Sequence, residues 1–166
     1  KMYVYFERPA DVNKMAYLVH KHVGADDDRW LFMPGLNLVK RIAASDKRTS
    51  FVGSDFFYED VSGRNPADDT HELVETTDDF YLLNNVPKEP RSVEFASYKV
   101  WIHKTSFLPI KGEYYDAAGN VIRTMQALEV QEIQGFQTVT KSQMRDLRTG
   151  STTTINYNRV EYNIGL

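Results

Sequence analysis

The sequence predicts a mainly β fold, built from antiparallel strands with only a few short helices. Aromatic residues make up 13% of the 166 residues, including ten Tyr and nine Phe, and these residue types favour strands. From residue 98 onward, long strand-like runs alternate with short turns, and connections of that length join antiparallel neighbours. Within residues 151–162, Ile155 and Tyr157 share one face while Thr152 and Thr154 share the other. This alternation indicates a curved sheet that covers something on one side.

The composition limits the classes of protein that the chain can represent. A length of 166 residues predicts one domain, which buries roughly 70% of the surface of the unfolded chain. The formal net charge of −3 argues against a nucleic-acid partner. The absence of cysteine excludes disulfides, Cys zinc sites and thiol nucleophiles. No apolar run approaches the roughly 20 residues of a transmembrane helix.

The first third of the chain predicts short strands and one short helix. Strands are expected at residues 2–6, 15–22 and 30–33, and Gly24 with the acidic residues 26–28 makes the last two a hairpin. Residues 38–42 fit either a strand or a short helix, because five residues are too few for periodicity to decide. A helix is expected at residues 54–61, capped by Ser54 or Asp55. Residues 62–69 read as a loop.

The rest of the chain predicts an antiparallel meander. Its turns contain Asp, Gly, Asn and Pro, and Gly119 with Asn120 supplies the positive φ angles of a hairpin turn. Pro109 is expected to bend or bulge its strand. The predicted strands are 71–76, 80–86, 98–103, 107–115, 121–133, 136–147 and 151–162.

The stretch 28–61 concentrates aromatic side chains, and we expect it to form the lip of an apolar pocket. Four aromatic residues fall within residues 51–58 and are interrupted by acidic ones. Large aromatic side chains also dominate protein cores, so each of them has a purely structural alternative. An apolar cavity needs no catalytic group, because each CH₂ of an acyl chain that it buries contributes roughly 0.8 kcal/mol.

Several motifs give the chain a family resemblance. They are Trp30-x-Phe32-x-Pro34, Val39-Lys40-Arg41-Ile42, Ser50-Phe51-Val52-Gly53-Ser54-Asp55-Phe56, Trp101-Ile102-His103-Lys104, Leu108-Pro109, Tyr114-Tyr115-Asp116 with Gly119-Asn120, and Thr152-Thr153-Thr154. Together they cover most of the chain, and they resemble the bacterial outer-membrane lipoprotein-sorting protein family. That family belongs to the superfamily of the periplasmic lipoprotein carrier LolA and its receptor LolB.

The resemblance implies a curved, half-open antiparallel β-barrel of the LolA/LolB type, closed on one side by helices around an apolar cavity. Residues 1–166 would form a single LolA-like domain. Its N-terminal helix and one or two strands are expected to be missing, since the chain opens directly on a predicted strand. The absent lipobox cysteine gives no support to a lipid-anchored, LolB-like receptor.

The function implied by the resemblance is that of a non-enzymatic periplasmic carrier, without a cofactor or a metal. It would bind acyl chains of lipoproteins or lipids, and its partners would include an inner-membrane transporter and an outer-membrane acceptor. Residues 51–58 would form a flap that closes over the concave face, with Arg41 and Asp55 contacting the lid or a lipid headgroup. Arg41 would pair with Asp55 or Asp60. The predicted lining of cavity and flap is Trp30, Phe32, Phe51, Phe56, Phe57, Trp101, Leu108, Ile110 and Met125.

Two alternatives stay open at this point. The first is a lipid- or lipoprotein-sensing domain of a signalling or transporter-associated protein, which would share the fold. The second is a metal-dependent hydrolase that uses His20, His22, His71 and the acidic residues 26–28 as ligands. No nucleophile elbow and no phosphate-binding glycine loop is present, so no catalytic motif favours an enzyme.

Overall fold

A computed structural model describes residues 1–166 as eleven strands, one α-helix and five 3₁₀ turns. The chain divides into two compact units. The first contains residues 1–64 and 163–166, and the second contains residues 65–162. The strands are β1 (Met2–Tyr5), β2 (Ala16–His20), β3 (Asp28–Met33), β4 (Leu38–Ile42), β5 (Asp69–Thr76), β6 (Phe80–Pro87), β7 (Ser97–His103), β8 (Pro109–Tyr115), β9 (Val121–Ile133), β10 (Phe136–Asp146) and β11 (Thr152–Asn156). The helices are α1 (Tyr58–Ser62) and the 3₁₀ turns Ala10–Val12, Pro34–Leu36, Ala44–Asp46, Pro66–Asp68 and Pro90–Ser92. None of these helices has the length and apolar character that crossing a membrane requires.

The strands form two antiparallel sheets, which confirms the predicted mainly β fold. Sheet 1 has the order β1-β2-β3-β4, and sheet 2 has the order β11-β10-β9-β8-β7-β6-β5. Consecutive strands are therefore neighbours throughout, as short connections require. Each sheet has two edge strands and does not close on itself. The hydrogen-bond pattern therefore shows no barrel. The barrel and the single domain implied by the family resemblance stay predictions.

The two central strands of sheet 1, β2 and β3, form the predicted hairpin. Leu18 pairs with Trp30 in a regular register between β2 and β3, and the ambiguous residues 38–42 form strand β4. On one face of the sheet, Tyr17 and Val19 are fully buried. The Phe51 ring packs on this face, 5.1 Å from the Tyr17 ring. This aromatic contact anchors residues 43–62 to the sheet.

The predicted helix at residues 54–61 is wrong at its start, because α1 begins only at Tyr58. The preceding segment forms a tight loop, in which Val52 and Gly53 have positive φ angles and the Phe51 N–H donates to the Phe56 carbonyl at 2.7 Å. Ser54 and Asp55 therefore lie inside the loop and do not cap the helix. The N-cap is Phe57, whose backbone N–H donates to the Asp60 carboxylate at 2.7 Å.

Sheet 2 follows the predicted meander, and β9 has the predicted bounds. The last predicted strand is too long, because β11 ends at Asn156. Asn156 pairs with Lys141, next to the point where β10 bulges between Val139 and Lys141. A bulge disrupts the ladder locally, and the chain turns away beyond it.

A small aromatic core lies on one face of sheet 2. Phe95 packs edge-on against Tyr98 at 5.4 Å and against Tyr114 at 5.1 Å. The Arg123 guanidinium, which is almost fully buried, lies 5.4 Å from the centre of the Tyr114 ring and 3.5 Å from Glu94. A buried charge with both an aromatic and an acidic neighbour is compensated.

His71 lies on β5 between two oxygen acceptors. Its Nδ1 is 2.6 Å from Asn85 Oδ1, and its Nε2 is 2.8 Å from the Pro66 carbonyl. The Asn85 amide is oriented, because its Nδ2 donates to the Tyr98 carbonyl at 3.2 Å. Both ring nitrogens can donate only when the ring is protonated, so the bond to Asn85, followed by the one to Pro66, raises the pKa of His71.

Replacing His71 with Gln is expected to cost more stability in acid than in base. A pKa raised in the folded state gives stability that is complete below the unfolded pKa and is lost as pH rises through the folded pKa. Urea unfolding of both proteins at pH 5.5 and pH 8.5 measures the difference. A loss of stability that is equal at the two pH values, or larger at pH 8.5, would contradict this account of His71.

Candidate functional site

The face of sheet 1 that points away from Tyr17 carries an open apolar groove of about 430 Å³. Cross-strand partners share a face of the sheet, so the register builds the groove in two rows. One row contains Tyr3, Leu18 and Trp30, and the other contains Ala16, Phe32 and Val39. These six residues line the groove.

The groove is exposed although its lining is apolar. Tyr3 and Val39 are 49% and 60% exposed, and the remaining four residues are half-buried. A contiguous apolar surface of this kind usually marks an interaction site, whereas single exposed apolar residues do not. The volume lies within the range of roughly 300–1,000 Å³ that is typical of small-molecule sites. The groove is therefore the candidate binding site.

A polar pocket of about 380 Å³ lies at the edge of sheet 1 where β3 begins and β4 ends. Arg41 pairs there with Asp28, which also accepts a hydrogen bond from His22 Nε2 at 2.9 Å. The His22 bond, followed by that of Arg41, lowers the pKa of the Asp28 carboxyl. Arg41 thus pairs with Asp28 and not, as predicted, with Asp55 or Asp60, since Asp28 lies on the neighbouring strand two residues before Trp30, the cross-strand partner of Arg41. The pocket is lined by Asp26, Asp27, Asp28, Arg41, Ile42, Ala43 and Ala44.

A buried ion pair fixes the loop between β2 and β3. Arg29 is almost fully buried and donates to Asp27 Oδ2 at 2.8 Å and to the Ser62 hydroxyl at 3.1 Å. Lys21 donates to the same Asp27 oxygen at 2.8 Å. Desolvation of the neighbouring Tyr17 phenol raises its pKa to about 12. These contacts hold the wall of the polar pocket in place, and of these residues only Asp27 was considered from the sequence, as a possible metal ligand.

Glu59 is the centre of a second charged network. Its carboxylate is 3.1 Å from Arg48 Nε, 2.9 Å from Arg64 Nη1 and 3.6 Å from Lys47 Nζ. Only 8% of its side chain is exposed. Three cations around one buried carboxylate compensate its desolvation, and they fix α1, which begins where the predicted flap ends.

The predicted flap residues lie in different environments. Phe51 and Phe56 are buried, and Phe57 is half-buried. The Phe51 ring lies between Phe6, Tyr17 and Tyr58, with centroids 5.1–5.4 Å away. Because Tyr17 points away from the face that holds Trp30, Phe51 lies on the opposite side of sheet 1 from the groove.

The predicted residues of sheet 2 do not share one face. Trp101 pairs with Lys111, whose ammonium lies 4.2 Å from the centre of the indole ring. Met125 pairs with Gly112, the next residue along β8, and successive strand residues point to opposite faces. Leu108 precedes β8, and Ile110 lies at its bulge. The structure thus brings only Trp30 and Phe32 of the predicted set together in the groove.

Four of the lining residues, Tyr3, Ala16, Leu18 and Val39, were missed by the sequence analysis, although a signal for them was present. Ala16 and Leu18 in β2 and Val39 in β4 flank the strand of Trp30 and Phe32, and Tyr3 lies in β1, which pairs with β2. A strand was predicted for each of these segments or left open. Extending the hairpin register across neighbouring strands would have placed them on the face of Trp30.

The histidines outside the groove form no metal centre. The rings of His20 and His22 lie 4.5 Å apart, and the nearest carboxylate, Asp28, is hydrogen-bonded to His22 and paired with Arg41. No group of three or more His, Asp or Glu side chains is arranged to hold a metal ion. His71 lies on β5, in the other unit.

Comparisons with known proteins give relatives over nearly the whole chain. A family model described as "-like: Uncharacterized protein" matches residues 1–166, and no curated protein matches. A solved DUF1329 family protein from Desulfovibrio piger is 32% identical, with a TM-score of 0.80 over 99% of this chain and 71% of the other. A domain named for outer-membrane lipoprotein sorting, from Vibrio parahaemolyticus, is 29% identical, with a TM-score of 0.81 over 99% and 72%.

A third, less similar structure has a related fold. A LolA superfamily protein from Nitrosomonas europaea is 23% identical, with a TM-score of 0.58 over 96% of this chain and 73% of the other. At that identity the likeness concerns the fold alone. The DUF1329 relative and the domain named for lipoprotein sorting confirm the predicted family resemblance. Because the DUF1329 relative is 32% identical over 71% of its own length, the chain belongs to the DUF1329 family.

Proposed function

We propose that this chain is a periplasmic carrier that binds acyl chains of lipoproteins or lipids and ferries them toward the outer membrane. The observation that carries the proposal is the open apolar groove of sheet 1. An acyl chain laid against it would gain roughly 0.8 kcal/mol for each CH₂ removed from water. The likeness to a domain named for outer-membrane lipoprotein sorting supports the direction of transport.

The proposed activity is binding and release, without catalysis. Cargo would arrive from an inner-membrane transporter and leave to an outer-membrane acceptor, and both partners belong to the proposal. The residues predicted from the sequence stay candidates for a larger binding surface. They are Phe51, Phe56, Phe57, Trp101, Leu108, Ile110 and Met125, with Asp55 as a lid contact.

The two tryptophans allow the site to be located. Trp30 lines the groove, whereas Trp101 lies in sheet 2. Replacing one Trp with Phe leaves a single indole, whose fluorescence reports ligand binding near that residue alone. Dibromostearate, whose bromine atoms quench indole fluorescence on contact, should quench Trp30 in the Trp101→Phe protein. Trp101 in the Trp30→Phe protein should be quenched less. If neither tryptophan shows saturable quenching, the proposal is wrong. If only Trp101 is quenched, the site lies in sheet 2.

Replacing Val39 with Glu is expected to weaken binding of dibromostearate by at least about tenfold. A carboxylate in the groove would lose hydration when the acyl chain covers it, which costs several kcal/mol for a charge. Fluorescence titration of the Trp101→Phe protein with and without this change measures the effect.

Val74→Glu is the matched control for this prediction. Val74 is 51% exposed and also lies on an edge strand, β5, so the same new charge appears at a similar surface position outside the groove. The control should retain the affinity of the parent protein. Equal losses in the two variants would indicate a general charge effect and would contradict a site at Val39.

A further inference from the structure

Arg41 stands where the apolar groove meets the polar pocket. It is the direct cross-strand partner of Trp30, and cross-strand partners lie side by side on one face. Trp30 lines the groove, and Arg41 lines the pocket of about 380 Å³. A ligand with an apolar chain and a polar end could therefore place its chain in the groove beside Trp30 and its polar end in the pocket beside Arg41.

The Arg41 guanidinium is accessible to such a ligand. Its side chain is 70% exposed, and its partner is Asp28. Asp28 also accepts a hydrogen bond from His22, so Arg41 can turn to a ligand without leaving that carboxylate unpartnered. An exposed ion pair of this kind is weak, so it exchanges readily for another anion.

The acidic residues beside Arg41 are already matched by cations. Asp26 is 2.9 Å from Lys47 Nζ. Asp27 is 2.8 Å from Arg29 Nη2 and 2.8 Å from Lys21 Nζ. Two of the three carboxylates of the pocket are therefore compensated by cations other than Arg41, and the third, Asp28, keeps its hydrogen bond to His22.

We infer that the groove binds lipids with an anionic headgroup and that Arg41 contacts the carboxylate or phosphate oxygens of this group. A guanidinium matches both groups with two parallel hydrogen bonds. The inference rests on the proposed function, since the same groove holds the acyl chain. Asp28 then competes with the headgroup for Arg41.

Three ligands with the same chain length test the inference on the full chain. Palmitate carries a carboxylate, hexadecyl phosphate carries a phosphate, and hexadecanol carries no charge. At pH 8, at least one of the two anionic ligands should bind about tenfold more tightly than hexadecanol, as a charged hydrogen bond predicts. The comparison between palmitate and hexadecyl phosphate then tells which anionic group is preferred.

Variants assign the preference to Arg41. Arg41→Gln should bring the affinity for the preferred anion down to that of hexadecanol. Lys40→Gln removes the same charge from the next residue, which points to the other face of β4, and should keep the preference. Asp28→Asn, which frees Arg41, should strengthen binding of the anion severalfold. Thermal unfolding of each variant verifies that it is folded.

The possible failures are distinguishable. If all three ligands bind equally and Val39→Glu weakens all of them, the acyl groove stands and the role of Arg41 is overturned. An anion preference that survives in Arg41→Gln, or disappears in Lys40→Gln, overturns it as well. If none of the three ligands binds, both the role of Arg41 and the proposed function fall.

Discussion

Replacing Phe51 with Ala is expected to lower the free energy of unfolding by about 3–5 kcal/mol, the usual cost of removing a buried Phe side chain. Phe51 is 2% exposed, and its ring contacts Phe6, Tyr17 and Tyr58. Aromatic pairs of this geometry add to the energy of burial, and Tyr17 is held in strand β2, so it cannot move to refill the cavity. Urea unfolding, followed by circular dichroism, measures the change.

Phe107→Ala is the control, since Phe107 is 69% exposed. Its effect should stay within about 0.5 kcal/mol, as at most surface positions. The milder variant Phe51→Leu keeps the protein folded for binding measurements. If Phe51 serves only the core, this variant will bind acyl chains like the parent protein. A loss of affinity without a loss of stability would instead support the predicted flap role of Phe51.

The second large effect is expected at Glu59. Glu59→Gln should lower the free energy of unfolding by about 3 kcal/mol, because removing one partner of a buried ion pair leaves uncompensated charge behind. Here Lys47, Arg48 and Arg64 lose the carboxylate that they share, and all three are mostly buried at 12–20% side-chain exposure. Lys47 keeps its contact with Asp26. Their repulsion is expected to loosen α1 and the segment before it. Denaturant unfolding of the variant measures this loss.

Asp26→Asn provides a control in the same neighbourhood. Asp26 contacts Lys47, as Glu59 does, but its side chain is 54% exposed. Exposed pairs contribute at most about 1 kcal/mol, so this variant should be much less affected. Comparable losses from Glu59→Gln and Asp26→Asn would mean that burial does not set the strength of the network.

The sequence was sufficient to predict most strands, because their signals are local. The run from Val121 to Ile133 is bounded on both sides by turn residues, Gly119-Asn120 and Gln134-Gly135, so strand β9 was placed with correct ends. The start of α1 could not be predicted, since it depends on the Phe51 loop, whose bond from Phe51 to Phe56 closes only in the folded chain. The early end of β11 could not be predicted either, because it depends on a bulge in its neighbour β10. This bulge arises from the pairing of β10 with β9 and not from the sequence of β11.

The site was harder to predict, because it depends on which face of a sheet a side chain occupies. Trp30 and Phe51 belong to one aromatic stretch in the sequence, yet they lie on opposite faces of sheet 1. Their separation follows from the register of Leu18 with Trp30 and from the ring contact of Phe51 with Tyr17. Residue composition identified an apolar, aromatic region, but it could not divide that region into core and groove.

The two faces of sheet 1 also bear on how this protein can evolve. Residues such as Leu18, Trp30 and Val39 face the groove, while the neighbouring residues Tyr17 and Leu31 hold the core. Substitutions can therefore accumulate on the groove face while selection for folding acts mainly on the other. Ligand preference should drift faster than architecture among relatives. A library randomised at the groove positions should yield many folded members with new preferences.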